Sequence, residues 1–380
     1  MSAARIAFFT DSFHEINGVA HTSRQLEFYA RKMKLPLLSV HSGPENMTRT
    51  DEAVQTLELK RSPLRVPLDE GLSFDPCIFR HWFKVMEHCH QFQPDVVHVT
   101  GPGDIGLLGA AIAWKQKIPL VASWHTNLHE YAARRWPVSF LRDQIQNISW
   151  KMLMLFYKSG KILLAPNEEL RSSLEDATQQ PAWLMERGID TDLFSPARRK
   201  RDDSEIVLGY VGRLRPEKNV QLLIQIERKI QAAGIRNYRF LIVGDGDQRS
   251  LLQNQMKSAQ FTGVLKGVEL AEAFASMDIF LFPSWTDTYG NVITESLASG
   301  VPAVVTTGGG PKFLVQNGKT GVVTGSDEEF ISKTVDLIQD PDQIRRMSQP
   351  ARNWTLERSW ESVFQNVWKS YERVLGPNSA

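Results

Sequence analysis

Two acidic residues flank a predicted turn in the run PSWTDTYGNVITESLASGVP (283–302). Asp287 lies in the turn-like part of this run, and Glu295 lies further on, inside a segment with helical character. The apolar runs MDIFLFPS and VPAVVTT on either side are typical of buried strands. Carboxylates at the end of a buried strand need polar partners, and hydroxyl groups of a ligand can supply them.

The helix between these strands is predicted to follow Asn291, a favourable N-cap residue, and to end at Gly300. The amides around Tyr289–Val292 would then point out of a helix N-terminus, where phosphate oxygens bind. A ligand that fits this arrangement would carry phosphates in its middle and hydroxyl groups at both ends. A sugar nucleotide has this form. The alternative is that both acids only complement a helix dipole, which explains Glu295 poorly because it lies past the helix start.

Basic residues follow the first strand of the second half, in VGRLRPEKNV. Arg213 and Lys218 could hold a diphosphate, Arg213 as a planar fork and Lys218 as a point charge. The alternative is a solvated turn. After the first strand of the chain, Gly18 precedes a helical pattern and could approach an anion, although a plain turn glycine would look the same.

Metal ligands are sparse in the sequence. The pairs Asp245/Asp247 and Asp190/Asp192 could bind a divalent cation, but both fit turn or capping acids better, so no metal site is predicted. Cys77 and Cys89 are too few for a tetrahedral thiolate site or a disulfide framework. The turn VGDGDQ lacks the full Gly-x-Gly-x-x-Gly pattern of nicotinamide enzymes, and no other cofactor is implied.

The composition is typical of a globular protein, its charge balance does not favour nucleic acid, and the sequence predicts an α/β protein with a cytoplasmic location. Of 380 residues, 42% are hydrophobic and 23% charged, and the net charge is +1. A strand-like run starts close to Met1, which leaves no room for a signal peptide. Lys115 and Lys117 interrupt the longest apolar run, so no membrane-spanning helix is expected.

Apolar runs alternate with helical segments along the whole chain, which predicts two doubly wound parallel sheets facing across a cleft. We predict an N-terminal domain over 1–190, a linker over 191–204, a second domain over 205–352 and a C-terminal helical segment over 353–380. That last segment is predicted to pack back on the first domain. Its core-facing stripe comprises Trp360, Phe364, Val367, Trp368 and Tyr371.

The segment Arg134–Lys161 is basic and amphipathic. A helix of this kind can lie on anionic lipid. The apolar positions predict instead an ordinary core helix, with a peripheral membrane helix as the alternative. The stripe predicted to be buried comprises Leu141, Ile145, Ile148, Met152 and Leu155.

Several motifs, in order, resemble those of retaining glycosyltransferases of family four, which have the two-domain GT-B fold. DTYGNVITE resembles the Glu-x7-Glu signature, VGRLRPEKNV the Gly-Arg…Glu-Lys-Asn loop, and RGIDTDLFSP the interdomain segment. FTDSFHEINGV and SWHTNLHEY resemble a branch that glycosylates lipids, including mannosyltransferases and sulfoquinovosyl- and glucosyl-diacylglycerol synthases. Asp287 replaces the usual Glu, and Tyr289 the usual Phe, which leaves the transferred sugar open.

The resemblance implies a role for each matching residue. Arg213 and Lys218 would bind the donor diphosphate, Asp287 the sugar hydroxyls, and Glu295 the ribose. His125 would lie beside the transferred sugar, although a lone histidine is more often a packed residue. The remaining donor contacts implied are Gly18, Gly212, Tyr289, Gly290, Asn291 and Val292.

The chemistry implied is metal-independent transfer of a hexose, with retained configuration, from GDP-mannose or a UDP-hexose to an acceptor hydroxyl. The acceptor could be a glycerolipid, a glycolipid, a soluble glycan or a metabolite, and the protein could meet a membrane surface peripherally. The rival interpretation is a sugar-nucleotide-binding protein that has lost transfer activity. Only a transferase would release nucleoside diphosphate.

Overall fold

A computed structural model describes residues 3–15, 17–69, 72–125, 139–201, 205–287 and 289–376. The chain forms two compact units. The first comprises Met1–Gly188 together with Trp360–Ala380, and the second comprises Ile189–Ser359. The segment predicted as a linker, 191–204, therefore falls within the second unit.

The first unit is built on a sheet of eight described strands in the order β10-β9-β8-β7-β1-β2-β4-β3. All neighbours pair in parallel except β3, which runs antiparallel to β4 at the edge. A separate hairpin joins β5 to β6. The strands are β1 (Ile6–Thr10), β2 (Leu37–Gly43), β3 (Met47–Asp51), β4 (Val54–Lys60), β5 (Val66–Asp69), β6 (Leu72–Phe74), β7 (Val96–Val99), β8 (Leu120–Ser123), β9 (Ile162–Ala165) and β10 (Ala182–Leu184).

Helices cover both faces of this sheet, so its central strands β1, β7, β8 and β9 are buried and mainly apolar, as expected for parallel strands covered on both sides. The helices are α1 (Gly18–Lys32), α2 (Trp82–Phe92), α3 (Asp104–Gln116), α4 (Ser139–Tyr157), α5 (Glu168–Thr178) and, from the end of the chain, α12 (Trp360–Leu375). A 3-10 helix over Ile78–His81 leads into α2.

Helix α12 belongs to the first unit although it lies at the end of the chain. Its face with Phe364, Val367 and Trp368 is buried against β1 and α1. The hydroxyl of Tyr371, which is fully buried, lies 2.7 Å from Nδ1 of His98 on β7. The predicted core-facing stripe of this segment is therefore confirmed, and a buried polar contact joins the helix to the centre of the sheet.

The second unit contains a parallel sheet in the order β13-β12-β11-β14-β15-β16, the strand order of doubly wound nucleotide-binding folds. Its strands are β11 (Ile206–Val211), β12 (Tyr238–Val243), β13 (Ala259–Gly263), β14 (Ile279–Phe282), β15 (Ala303–Thr306) and β16 (Gly321–Thr324). Its helices are α6 (Leu222–Ala232), α7 (Arg249–Gln255), α8 (Gly267–Ala275), α9 (Asn291–Ala298), α10 (Asp327–Gln339) and α11 (Pro341–Leu356), with 3-10 turns at Pro196–Arg198, Pro216–Lys218 and Pro311–Phe313.

The prediction for α4 is wrong where the structure describes its side chains. Ile148, Met152 and Leu155 are 59%, 67% and 73% exposed, whereas Met154 and Tyr157 are buried in the core. Leu141 and Ile145 lie outside the described side chains. The helix carries apolar residues on more than one face, so spacing alone did not show which face the sheet would cover. Among the described helices, none is long and apolar enough to cross a membrane.

Candidate functional site

The centre of the second sheet is the point where the strand order reverses, between the neighbouring strands β11 and β14. Ligands of such folds bind beyond the carboxyl ends of the strands at this point. The loop after β11 ends in Lys218, and the loop after β14 contains Asp287. Lys218 Nζ donates a hydrogen bond to Asp287 Oδ1 at 2.5 Å, and both side chains are less than one-fifth exposed.

A second contact joins the same two loops. The side-chain amide of Asn219 donates to the carbonyl of Pro283 at 3.3 Å and to the carboxylate of Asp327 at 3.1 Å. Trp285 Nε1 donates to the same carboxylate at 2.9 Å. The first residue of α10 therefore holds the loops that carry Lys218 and Asp287, a role that sequence reasoning did not find.

Glycines allow these loops to approach each other closely. Gly244 has φ +137°, and a Cβ there would lie 1.9 Å from the carbonyl oxygen of Gly212. Gly309 has φ +63°, and a Cβ there would lie 2.1 Å from the carbonyl oxygen of Asp287, to which the amide of Gly310 donates at 2.9 Å. Glycine at these two positions therefore permits the close backbone approach that positions Asp287.

The other carboxylate oxygen of Asp287, Oδ2, is buried and has no hydrogen-bond partner within the described residues. A buried acceptor without a donor loses its hydration and gains nothing in return, at a cost of about 1–3 kcal/mol. Lys218 donates a hydrogen bond to only one of the two carboxylate oxygens, Oδ1. The remaining oxygen can accept a hydrogen bond from a ligand hydroxyl group.

Helix α9 starts one residue earlier than predicted. Asn291 is its first residue rather than its N-cap, and the N-cap is Gly290, with φ +93° in the left-handed region. Glycine has no side chain with which to cap the first turn. Tyr289 is buried beside this turn, and Val292 lies in it. The positive end of the helix dipole can therefore receive an anion.

Glu295 lies one turn into α9 and is half-buried. Its carboxylate has no hydrogen-bond or ion-pair partner among the residues that the structure describes. Burial raises the pKa of Glu295 to about 7, because nothing nearby compensates the lost hydration of the charged form. Hydroxyl donors from a ligand would provide that compensation.

Arg213 differs from Lys218 in its surroundings. Its side chain is exposed and forms no ion pair within the described part of the chain, while its carbonyl accepts a hydrogen bond from the Tyr210 hydroxyl at 3.0 Å. Gly212, with φ +156°, precedes it at the strand end. The two predicted diphosphate ligands are thus one exposed guanidinium and one ammonium already paired with a carboxylate.

In the first unit, the predicted phosphate contact Gly18 is the first residue of α1. Asn17 caps this helix through a hydrogen bond from the amide of Ala20 at 2.8 Å. A Cβ at Gly18 would lie 2.2 Å from the guanidinium of Arg187. The guanidinium of Arg187 therefore lies beside the N-terminus of α1. Sequence reasoning missed Arg187, although the RGID motif contains it.

His125, also in the first unit, ends a buried polar chain. Its Nε2 lies 2.8 Å from the hydroxyl of Ser123, which is 2.9 Å from Nε2 of His98, whose Nδ1 contacts Tyr371. Burial, and next the charge of Arg187, lower the pKa of His125 to about 3. His125 is therefore a neutral hydrogen-bonding group near pH 7 and not a cation. His98 was not predicted, and Tyr371 was predicted only as a buried residue of the C-terminal stripe.

The aspartate pairs considered as metal ligands serve in turns. Asp190 accepts hydrogen bonds from the amides of Asp192 and Leu193 at 3.1 and 2.8 Å. Asp245 accepts from the amide of Gly246 at 2.8 Å and pairs with Arg249 at 3.1 Å. These contacts are those of capping acids.

Two family models match the chain. The model described as "Glycosyltransferase Family 4" covers residues 42–193, and the model described as "Glycosyl transferases group 1" covers residues 205–340. The "GDP-mannose-dependent alpha-mannosyltransferase" of Mycobacterium tuberculosis is 30% identical over 389 residues, covering 99% of this chain and 98% of that protein. The "Sulfoquinovosyl transferase SQD2" of Arabidopsis thaliana is 28% identical over 98% of this chain and 76% of that protein.

A solved structure, of HepE from Anabaena in complex with UDP-glucose, has a TM-score of 0.65 and 17% identity. The match covers 97% of this chain and 99% of that one. At this identity the likeness concerns the fold, and it confirms the predicted GT-B class with two Rossmann-like domains.

We expect Glu295→Gln to stabilise the free protein in a pH-dependent way. The pKa of Glu295 is raised in the folded chain, from 4.5 to about 7, so its protonated form stabilises the fold at low pH. That contribution is lost as the pH rises through about 7, and the glutamine variant avoids the loss. Because the side chain keeps some solvent access, we expect a gain of about 1–2 kcal/mol at pH 8 and less than half of it at pH 5.

Urea or thermal unfolding of both proteins at the two pH values measures this difference. Glu357→Gln, at an exposed position of the same unit, is the matched control and should change nothing with pH. A pH-independent difference between Glu295→Gln and the wild type would contradict the assignment of an uncompensated carboxylate.

Proposed function

Since the chain belongs to glycosyltransferase family 4, we propose that it transfers a hexose from a nucleoside-diphosphate sugar to a hydroxyl group of a lipid acceptor. The observation that carries the proposal is the pair of incompletely satisfied carboxylates at one strand-reversal point. Among the described residues, Asp287 keeps a buried oxygen without a partner, and the carboxylate of Glu295, one turn into the adjacent helix, has no hydrogen-bond or ion-pair partner. Between them lies the N-terminus of α9, whose N-cap Gly290 has no side chain.

We propose GDP-mannose as the first donor to test. The mycobacterial relative that matches nearly the full length of both chains is named for its dependence on GDP-mannose. UDP-sugars should be tested alongside GDP-mannose, because the structure of HepE was solved in complex with UDP-glucose. In this assignment Asp287 accepts from hydroxyl groups of the sugar, and Glu295 accepts from those of the ribose.

The proposed leaving-group stabilisation uses fixed positive charge. Lys218 has three N–H donors, so it can keep its contact with Asp287 and also donate to a phosphate oxygen. Arg213 can close on the diphosphate because its guanidinium has no ion-pair partner within the described residues, and the α9 N-terminus adds its dipole. Preorganised charges of this kind stabilise a departing diphosphate, so we propose that no metal ion is needed for transfer.

The proposed step retains the anomeric configuration. The bond from the anomeric carbon to the diphosphate oxygen breaks, and the acceptor oxygen forms the new glycosidic bond on the same face of the sugar. The acceptor proton passes to the departing phosphate oxygen, so no nucleophilic carboxylate is required. Near pH 7 His125 contributes hydrogen bonds as a neutral imidazole, because burial keeps its pKa low.

Gly18 and Arg187 are proposed to receive a phosphate group at the α1 N-terminus. Glycine removes the side chain that would block the guanidinium, and the guanidinium provides a fork for two phosphate oxygens.

A thermal-shift screen without added metal tests the donor site. The ligands are GDP, UDP, ADP and their common sugar conjugates. We expect one nucleotide to raise the melting temperature, corresponding to about 2.7 kcal/mol when its concentration is a hundred times the dissociation constant. Arg213→Ala and Glu295→Ala should each abolish most of the shift, since they remove the diphosphate and ribose contacts.

Arg215→Ala is the matched control, because Arg215 is an exposed arginine of the same loop. It should retain the shift. A shift that persists in Arg213→Ala and Glu295→Ala, or no shift with any nucleotide, would contradict the donor site. Binding without release of nucleoside diphosphate in the presence of lipid acceptors would instead identify a binding protein.

The exposed face of α4 is the proposed contact with a membrane surface. Ile148, Met152 and Leu155 recur with helical spacing and are each more than half exposed. Lys151 and Lys158 are exposed on the same stretch of helix, and no acidic residue occurs between 144 and 161. An apolar stripe flanked by lysines suits an anionic lipid surface, where each lysine contributes about 1 kcal/mol.

We expect the protein to sediment with anionic vesicles at low salt. Met152→Glu combined with Leu155→Glu should lower the bound fraction several-fold, because both carboxylates would have to enter the lipid interface. Val264→Glu is the control, since Val264 is an equally exposed apolar residue of the second unit. Failure of the wild type to sediment, or an equal loss in the control, would contradict the membrane contact.

A further inference from the structure

Two histidines and a glutamate come together at the carboxyl edge of the first sheet, in a cluster to which the proposed transfer assigns no role. His14 lies in the loop after β1, His41 lies on β2, and Glu58 lies on β4. His41 and Glu58 are register partners of the paired strands. One ligand atom from each of the three residues lies within 4.8 Å of the other two. We propose that this cluster binds a divalent transition-metal ion of the zinc class.

The state of His41 is the first argument. The ring is fully buried, and its Nδ1 lies 3.3 Å from the carbonyl of Ser42. A carbonyl only accepts, so Nδ1 carries the hydrogen and Nε2 of the neutral ring keeps a lone pair. Nε2 is buried and has no hydrogen-bond partner among the described residues. Metal-binding histidines commonly donate their second ring nitrogen to a carbonyl, which fixes the tautomer in this way.

The distances are the second argument. Tetrahedral zinc has bonds of about 2.0–2.1 Å to nitrogen and oxygen, which places two ligands about 3.3 Å apart. His14 Nε2 and Glu58 Oε1 are 3.2 Å apart. The His14 side chain is 48% exposed and lies in a loop, so it can move the short distance that the third ligand requires.

The surroundings hold the buried ligands in place. The ring of Phe13 stacks on His41 at 3.8 Å with an interplanar angle of 4°, which fixes the orientation of the imidazole. A Cβ at position 43 would lie 2.1 Å from Oε2 of Glu58, so glycine at this position leaves room for the carboxylate. Glu58 is 7% exposed and has His14 as its ion-pair partner, so a cation beside it would be stabilised.

The ligand set selects the class of metal. Imidazole nitrogens favour zinc and its neighbours, whereas magnesium and calcium prefer oxygen ligands throughout. Two histidines and one carboxylate leave a fourth position for water or another ligand. Bound metal would tie the loop of His14, which leads directly into α1 and Gly18, to the second and fourth strands.

The test uses full-length, tag-free protein that has been treated with a chelator. Isothermal titration with Zn²⁺ is expected to show one equivalent bound, and titration with Co²⁺ should give the visible absorption of a four-coordinate ion. Zn²⁺ should also raise the melting temperature, while Mg²⁺ should not. Absence of stoichiometric Zn²⁺ binding would overturn the proposal.

Variants assign the ligands. His14→Ala removes a partly exposed ligand without disturbing the core, and should weaken Zn²⁺ binding by at least about tenfold. Glu58→Gln should have a similar effect, and His90→Ala, at an exposed histidine outside the cluster, should have none. If His14→Ala binds Zn²⁺ as tightly as the wild type, the cluster is not the site and the proposal is wrong.

Discussion

The contact between Lys218 and Asp287 is the constraint on which the proposed donor site depends. It joins the loops after two adjacent strands, at the point where the strand order of the second sheet reverses. A lysine and an aspartate that are both mostly buried stabilise each other's charged state, and each alone would be costly. The pair therefore fixes one oxygen of Asp287 and leaves the other to a ligand, while Lys218 keeps two further donors.

Several features of the second unit serve this one contact. Asn219 and Trp285 converge on Asp327, which holds both loops to the start of α10. Glycines at 244 and 309 permit backbone distances that any side chain would prevent. Gly290, which has no side chain, immediately precedes the first residue of α9, and the carboxylate of Glu295 on that helix has no hydrogen-bond or ion-pair partner in the part of the chain that the structure describes. The site thus keeps unsatisfied groups that reduce the stability of the free protein and are available to a ligand.

The sequence predicted the elements whose signals are local, and missed those that depend on distant partners. The long apolar runs became buried parallel strands, and the terminal stripe around Phe364 was correctly predicted as buried. Helix α4 carries apolar residues on several faces, so their spacing did not show which face is buried. The face that was predicted to be buried is exposed. Arg187 beside Gly18 could not be predicted, because the contact joins residues far apart in sequence. The same holds for the His14, His41 and Glu58 cluster, whose residues come from three separate segments of the chain. The metal ligands considered from the sequence were the two Asp-x-Asp pairs and the two cysteines.

Calorimetric binding of a nucleoside diphosphate and of its sugar conjugate to wild type and to Asp287→Asn tests the central claim most directly. The asparagine keeps the size of the side chain and removes the charge that accepts the sugar hydroxyls. We predict that affinity for the conjugate falls at least about tenfold, as expected for a hydrogen bond to a charged group, while affinity for the nucleoside diphosphate changes much less. An equal loss for both ligands, or no loss for either, would contradict the role of Asp287 in holding the transferred sugar.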